Sequence, residues 1–136
     1  MTSTLLIPSL GLVISLRKWV GAVPIAIGSA GEIGKQQSRI VAVAGFAPLA
    51  GADPVTCELR KMYALPEARG LGAGKALMES CLAGAREAGF KTMYLETVTA
   101  MTAAAKFYAQ YGFTHLDRQL GHTGHTRCDV FMMRPL

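Results

Sequence analysis

Between Ala68 and Leu77 the chain reads ARGLGAGKAL: three glycines with an arginine ahead of them and a lysine behind. This is chemistry for holding an anion. Glycine lets the backbone approach a ligand closely and take positive φ. Successive amides at the start of a helix then bind negative charge, helped by the helix dipole. The spacing excludes two common phosphate sites. A nucleoside-triphosphate loop needs glycine at the position of Arg69 and a hydroxyl at the position of Ala76. A dinucleotide fingerprint accepts Gly70 and Gly72 but needs a third glycine where Lys75 stands. What fits is Arg69-Gly70-Leu71-Gly72-Ala73-Gly74 running into Lys75, an anion cradle that calls for no metal. A glycine-rich connector without a ligand is the plain alternative, and the strand before it and helix after it argue against that.

A second cluster of reactive side chains lies in GHTGHTRC, which holds His122, His125 and Cys128. Two imidazoles and a thiol are zinc-type ligands. No fourth ligand is near in sequence, and the stretch joins two strands. The expectation is therefore a β-hairpin loop and no metal. No Cys-His-Asn or Cys-His-Asp set stands out for a cysteine nucleophile.

The elements that must position these groups follow from composition and periodicity. The 136 residues are one domain's worth, 51% hydrophobic and 17% charged, which reads as globular. The net charge of +5 suits an anionic ligand, a membrane surface or nucleic acid. No basic block with interleaved aromatics is present, which argues against nucleic acid. The apolar run Leu5 to Leu16 is too short to span a bilayer and ends at Arg17 and Lys18. No basic residues precede it as a signal peptide would require. Cys57, Cys81 and Cys128 are odd in number and widely spaced, so a reducing, cytoplasmic setting is expected.

The run Leu5 to Leu16 reads as a buried strand or helix, Ala22 to Gly28 as a strand, and Ser29 to Ser38 as a turn or hairpin loop. Arg39 to Leu49 is apolar on both faces, so it is expected in the middle of a sheet. Thr56 to Leu65 is a strand with Glu58, Arg60 and Met62 on one face. After the glycines, Leu77, Met78, Cys81, Leu82 and Ala85 make one helical stripe, stopped by Gly89 with Phe90 behind it. Lys91 to Val98 is the next strand. TAAAKFYAQY is a short helix stopped by Gly112, again followed by phenylalanine. THLDR and CDVFMM are terminal strands. Strand, glycine turn, helix, strand is a crossover that joins parallel strands with right-handed sense. The whole is an α/β (α+β) fold with a mixed sheet flanked by helices.

Over about residues 40–136 the chain resembles the GNAT superfamily of acetyl-coenzyme A-dependent N-acetyltransferases. The likeness rests on motifs in order: a strand ending before Pro66-Glu67-Ala68-Arg69-Gly70-Leu71-Gly72-Ala73-Gly74, the following helix, the Leu95-Glu96-Thr97 strand, and the Ala104 to Phe113 helix and turn. The resemblance implies a mostly antiparallel sheet with a central parallel strand pair joined by the pyrophosphate-binding helix. It implies one domain over residues 1–136, with residues 1–39 atypical.

It also implies roles. The amides of Arg69, Gly70, Leu71, Gly72, Ala73, Gly74 and Lys75 would hold the coenzyme A pyrophosphate. Met62, Tyr63 and Ala64 would pair with the pantetheine arm, and an amide of Met62 or Tyr63 could polarise the thioester. Tyr108 matches the tyrosine that protonates the leaving thiolate. An aliphatic amine is mostly protonated near neutral pH and must lose a proton to react. Glu58 matches the catalytic glutamate of histone-type members, and Glu96 that of members modifying a ribosomal-protein N-terminus. On neighbouring strands, both could face the acceptor. The bland reading of each is a solvated or salt-bridged strand residue near Arg60 and Lys61.

The implied activity is acetyl transfer to the primary amine of a small-molecule or amino-acid-like acceptor. The family usually places a strand and two helices before its second strand, and residues 1–21 are too few for them. That implies an open acceptor pocket, or one walled by a second subunit in a homodimer. The alternative is a non-catalytic acyl-coenzyme A-binding or interaction module that has lost its acceptor pocket.

Overall fold

A computed structural model gives the structure of the chain and describes residues 2–7, 12–17, 23–29, 39–64, 66 and 72–136. The strands are β1 (Thr2–Ile7), β2 (Leu12–Arg17), β3 (Val23–Ser29), β4 (Arg39–Pro48), β5 (Thr56–Ala64), β6 (Thr92–Thr97), β7 (Thr114–Leu116) and β8 (Val130–Pro135). Helix α1 (Ala73–Glu87) follows β5, and α2 (Thr102–Gln110) follows β6. The strand order is β1-β2-β3-β4-β5-β6-β8-β7. Contacts divide the chain into two compact units, Met1–Ala47 with Leu59–Gly84, and Pro48–Glu58 with Ala85–Leu136.

In the first unit β1 to β4 pair antiparallel, with Leu5↔Ile14, Ile14↔Ile27 and Ile27↔Ala42 in one register row. The apolar run Leu5 to Leu16, expected as a single strand or helix, belongs to two strands. Pro8 and Gly11 fall between them, and both residue types punctuate strands. The expected loop from Ser29 to Ser38 lies, after Ser29, outside the described residues. In β4 the side chains of Ala42, Ala44 and Phe46 are buried. The predicted stripe of α1 is the buried one: Leu77, Met78, Cys81, Leu82 and Ala85 are all buried. Helix and strand meet closely at Gly84, where a methyl group would stand 3.1 Å from Phe46 Cε1.

In the second unit the start of β5 pairs parallel with β6, placing Glu58 opposite Tyr94. A parallel pair needs a crossover connection, and α1 lies on it. β8 pairs antiparallel with β6 and with β7, so Glu96 lies opposite Phe131. β6 is flanked on both edges, and its consecutive residues Met93, Tyr94 and Leu95 are all buried. Burial on both faces is why it reads as a nearly continuous apolar run. The architecture is the mixed, mostly antiparallel sheet with a parallel pair that the resemblance implied. Among the described residues no helix is long and apolar enough to cross a membrane.

Both helices end as the sequence predicted. Phe90 N donates to Ala85 O (3.0 Å) and Gly89 N to Arg86 O (3.0 Å), the paired bonds of a Schellman cap. In α2 the same bonds run from Phe113 N to Tyr108 O (3.2 Å) and from Gly112 N to Ala109 O (3.0 Å). The hydrophobic contact that accompanies this cap is between the rings of Phe113 and Tyr108, edge-on with centroids 6.0 Å apart. Tyr108 is thus positioned by the signal that stops its helix.

Gly112 has φ 85, a conformation that costs an L-residue about 1–2 kcal/mol. Gly112→Ala is expected to lower unfolding free energy by about that amount, read from urea denaturation. An unchanged midpoint would mean that the cap does not hold the end of α2.

Candidate active site

The cradle predicted from the sequence follows β5. Met62 is half-buried and Tyr63 is 59% exposed. Ala64 ends the strand. Arg69, Gly70 and Leu71 lie outside the described residues. Gly72 has φ 81, and its carbonyl accepts the first helical bond from Ala76 N (3.0 Å). The amides of Ala73, Gly74 and Lys75 therefore have no acceptor within the helix. The first turn of α1 carries no acidic residue of its own that would compete with an anion for these amides.

The second unit carries a polar cluster centred on Glu96. Period-two alternation puts Tyr94 and Glu96 on one face of β6, and the Tyr94 hydroxyl donates to Glu96 Oε2 at 2.6 Å. Leu120 N donates back to that hydroxyl at 3.1 Å. Thr123 Oγ1 donates to Glu96 Oε1 at 2.7 Å and accepts from His125 N at 3.2 Å. Gln119 Nε2 lies 3.1 and 3.0 Å from the two carboxylate oxygens. The ring of His125 turns Nδ1 towards both predicted glutamates, 3.3 Å from Glu96 Oε1 and 3.8 Å from Glu58 Oε1. The structure thus brings Glu58 and Glu96 together around one imidazole. Both carboxylates are buried, whereas the His125 side chain is 50% exposed.

These contacts set the charges. Burial pushes the Glu96 carboxyl up, but hydrogen bonds from Tyr94, Thr123 and Gln119 and the proximity of His125 outweigh it and leave its pKa below the usual value. Burial, the bond to Glu96 and the surrounding carboxylate charge push the Tyr94 hydroxyl far up, so it stays a donor. Burial also raises Tyr108, which stays protonated across the neutral range. Its ring contacts are with Phe107 (5.7 Å) and Phe113.

The stretch holding His122, His125 and Cys128 is the expected hairpin loop, joining β7 to its antiparallel partner β8. Within it His122 lies against the β4–β5 turn, its backbone N–H donating to Ala50 O at 2.6 Å. A cation-sized cluster does exist with a different membership: ligand atoms of Glu96, His125 and Cys128 lie within 4.8 Å of one another. Its chemistry is that of a hydrogen-bond hub. The Glu96 oxygens already accept from Tyr94, Thr123 and Gln119. Burial, followed by the charges of Glu96, Asp129 and Glu58, pushes the Cys128 thiol up, while metal ligation needs the thiolate. Burial pushes the Cys57 thiol up to about 12, which keeps it inert.

The loop bearing this cluster is tied down at both ends. Gly121, at φ 62, passes so close to the turn that a Cβ would stand 2.4 Å from Ala50 O. At the other end Asp129 accepts from Thr99 N at 2.8 Å and Thr99 Oγ1 at 2.6 Å. Sequence reasoning missed Tyr94, Gln119 and Thr123. The i, i+2 spacing of Tyr94 and Glu96 was a usable signal. Gln119 and Thr123 gave none, because their approach depends on the path of the loop.

Tyr94→Phe leaves one buried carboxylate lone pair and Leu120 N without their partner. It should cost about 1.5–3 kcal/mol in chemical denaturation, and a neutral result would remove Tyr94 from the cluster. Because the folded pKa of Glu96 is depressed, the unfolded chain binds its proton first as pH falls. Its stabilisation is complete above its ordinary value of 4.5 and is lost as pH drops through the folded value. Glu96→Gln should therefore flatten the acid limb of stability against pH. An unchanged slope would contradict that.

Comparison with known proteins accords with this geometry. The signature described as Acetyltransferase (GNAT) family matches residues 19–113. The uncharacterized N-acetyltransferase YjgM of Escherichia coli K12 is 43% identical over 109 residues, covering 80% of this chain and 65% of that protein. The chain thus spans slightly less than two thirds of this relative. A GNAT-family acetyltransferase from Staphylococcus aureus Mu50 superposes with TM-score 0.70 at 23% identity, over 85% of this chain and 68% of that one. The PaiA N-acetyltransferase of Thermoplasma acidophilum, solved in complex with coenzyme A, superposes with TM-score 0.64 at 16% identity, over 85% and 62%. The family signature covers more than half of the chain, the fold agrees with it, and the chain belongs to the GNAT family of acetyltransferases.

Proposed function

We propose that this chain is an N-acetyltransferase that moves an acetyl group from acetyl-coenzyme A to the primary amine of a small-molecule or amino-acid-like acceptor. The amine attacks the thioester directly in a ternary complex. The amides of Arg69 to Lys75 hold the pyrophosphate, and the edge of Met62 to Ala64 takes the pantetheine arm. An amide of Met62 or Tyr63 stabilises the charge developing on the carbonyl oxygen. The Glu58 and Glu96 carboxylates promote loss of the amine proton. Tyr108 gives its proton to the departing thiolate, a role suited to a hydroxyl that burial keeps protonated.

The observation that supports catalysis over bare cofactor binding is the convergence of two buried carboxylates on a half-exposed imidazole. Burying two like charges together is costly unless they are used or paired. A binding module has no need of them. The three free cysteines suit a reducing cytoplasm. A homodimer is part of the proposal. Among the described strands β1 stands at the end of the order, and its six residues, TSTLLI, carry no charge, a composition suited to pairing with a second chain. A monomer by sedimentation at micromolar concentration would count against that part.

Calorimetry with acetyl-coenzyme A followed by a thiol-release screen over primary amines tests the activity. Binding with turnover on at least one amine is expected. Binding without turnover would favour a non-catalytic module, and no binding would sink both readings. Tyr108→Phe is expected to lower kcat about 100-fold with little change in either KM. Unaltered turnover at saturating substrates across pH would remove Tyr108 from the reaction.

A further inference from the structure

The acceptor's proton needs a group that can meet it. Glu58 and Glu96 have almost no solvent-exposed side-chain surface, at 1% and 0%. The Glu96 oxygens are in addition engaged by Tyr94, Thr123 and Gln119. Those donors stabilise the carboxylate and weaken it as a base. His125 differs in both respects. Half of its side chain is open, and its Nδ1 faces the two carboxylates. Carboxylates accept hydrogen bonds and cannot donate them, so Nδ1 is the nitrogen that carries hydrogen. The lone pair is then on Nε2, the nitrogen on the far side of the ring. A buried carboxylate that fixes an imidazole tautomer in this way is the recurring arrangement behind a histidine base.

We infer that His125, oriented through Nδ1 by Glu96 and Glu58, takes the acceptor's proton on Nε2. This rests on the acetyl-transfer reading and assigns that reaction its base. The acceptor ammonium gives one proton to Nε2, forming an imidazolium that faces two carboxylates. The freed amine lone pair forms the N–C bond as the C–S bond breaks. The thiolate takes the proton of Tyr108, the second proton of the newly acylated nitrogen passes through water to restore the Tyr108 hydroxyl, and His125 releases its proton to water, so one proton leaves per turnover. Glu96 and Glu58 are positioning residues in this scheme. Among the described residues the titratable groups beside the ring are Glu58 from β5, Glu96 from β6 and Cys128 ahead of β8. Burial and the neighbouring carboxylate charge push the Cys128 thiol up and keep it neutral.

Two measurements on the full chain test the inference. In nitrogen-15 NMR of the imidazole, His125 should show the Nδ1–H tautomer when neutral, and Glu96→Gln should weaken that preference. A neutral Nε2–H tautomer in the unaltered protein would overturn the inference whatever the activity. In the thiol-release assay, His125→Ala should lower kcat/KM for the amine about 100-fold, with acetyl-coenzyme A binding unchanged by calorimetry. Added imidazole should restore part of the loss, which a merely structural role would not allow. His125→Gln should fold and bind the donor but stay impaired. Wild-type rates in either variant, or a loss that imidazole does not relieve, would sink the His125 assignment and leave acetyl transfer standing. Absence of turnover on every amine by the unaltered protein would bring down the parent reading and this inference with it.

Discussion

A carboxylate removed from water must have its lone pairs satisfied by the protein. Glu96 imposes that demand on the second unit. Its partners come from its own strand (Tyr94) and from the loop before β8 (Gln119, Thr123 and His125). The loop folds over the sheet face in one way because that way supplies the donors. Glu58, opposite Tyr94 in the parallel ladder, adds a second buried charge beside the same imidazole. Charge burial, loop path and ring orientation are therefore one coupled arrangement.

The parallel pairing of β5 with β6 makes the arrangement possible. A crossover through α1 sets the two strands side by side with Glu58 and Glu96 leading to the same face. The same crossover places a helix N-terminus directly after the glycine run. One connection thus fixes the register that sets Glu58 opposite Tyr94. Sites in α/β folds recur at strand ends that feed helices, where amides and side chains are both available.

Local and periodic features were legible in the sequence. The stripe from Leu77 to Ala85 predicts the buried face of α1, and Gly89-Phe90 and Gly112-Phe113 predict both caps, because those signals act within a few residues. Glu58 and Glu96 could be placed on neighbouring strands from the order of elements alone. His122, His125 and Cys128 lie in the hairpin loop expected for them, and what the sequence hid was which neighbour each would meet. A spacing of three brings side chains together on a helix, and in an extended loop it sends them to different neighbours. His122 goes to the Ala50 turn, while His125 and Cys128 meet Glu96. The donors from Gln119 and Thr123 were invisible because non-local contacts carry no periodic signature. The N-terminal apolar run concealed a strand pair, since its punctuation at Pro8 and Gly11 was outweighed by its hydrophobicity.

The double tether of residues 117–129 has a kinetic meaning. One anchor is the close passage at Ala50, the other the Asp129–Thr99 pair, with the Glu96 hub between them. Ordering such a segment on encounter with a ligand would take free energy from binding and add a slow step. Here contacts within the chain itself supply that order. A ligand that binds beside a segment tethered in this way meets it already set, so its association should run as a single phase governed by collision and orientation, with selectivity between ligands expressed in how long each one stays.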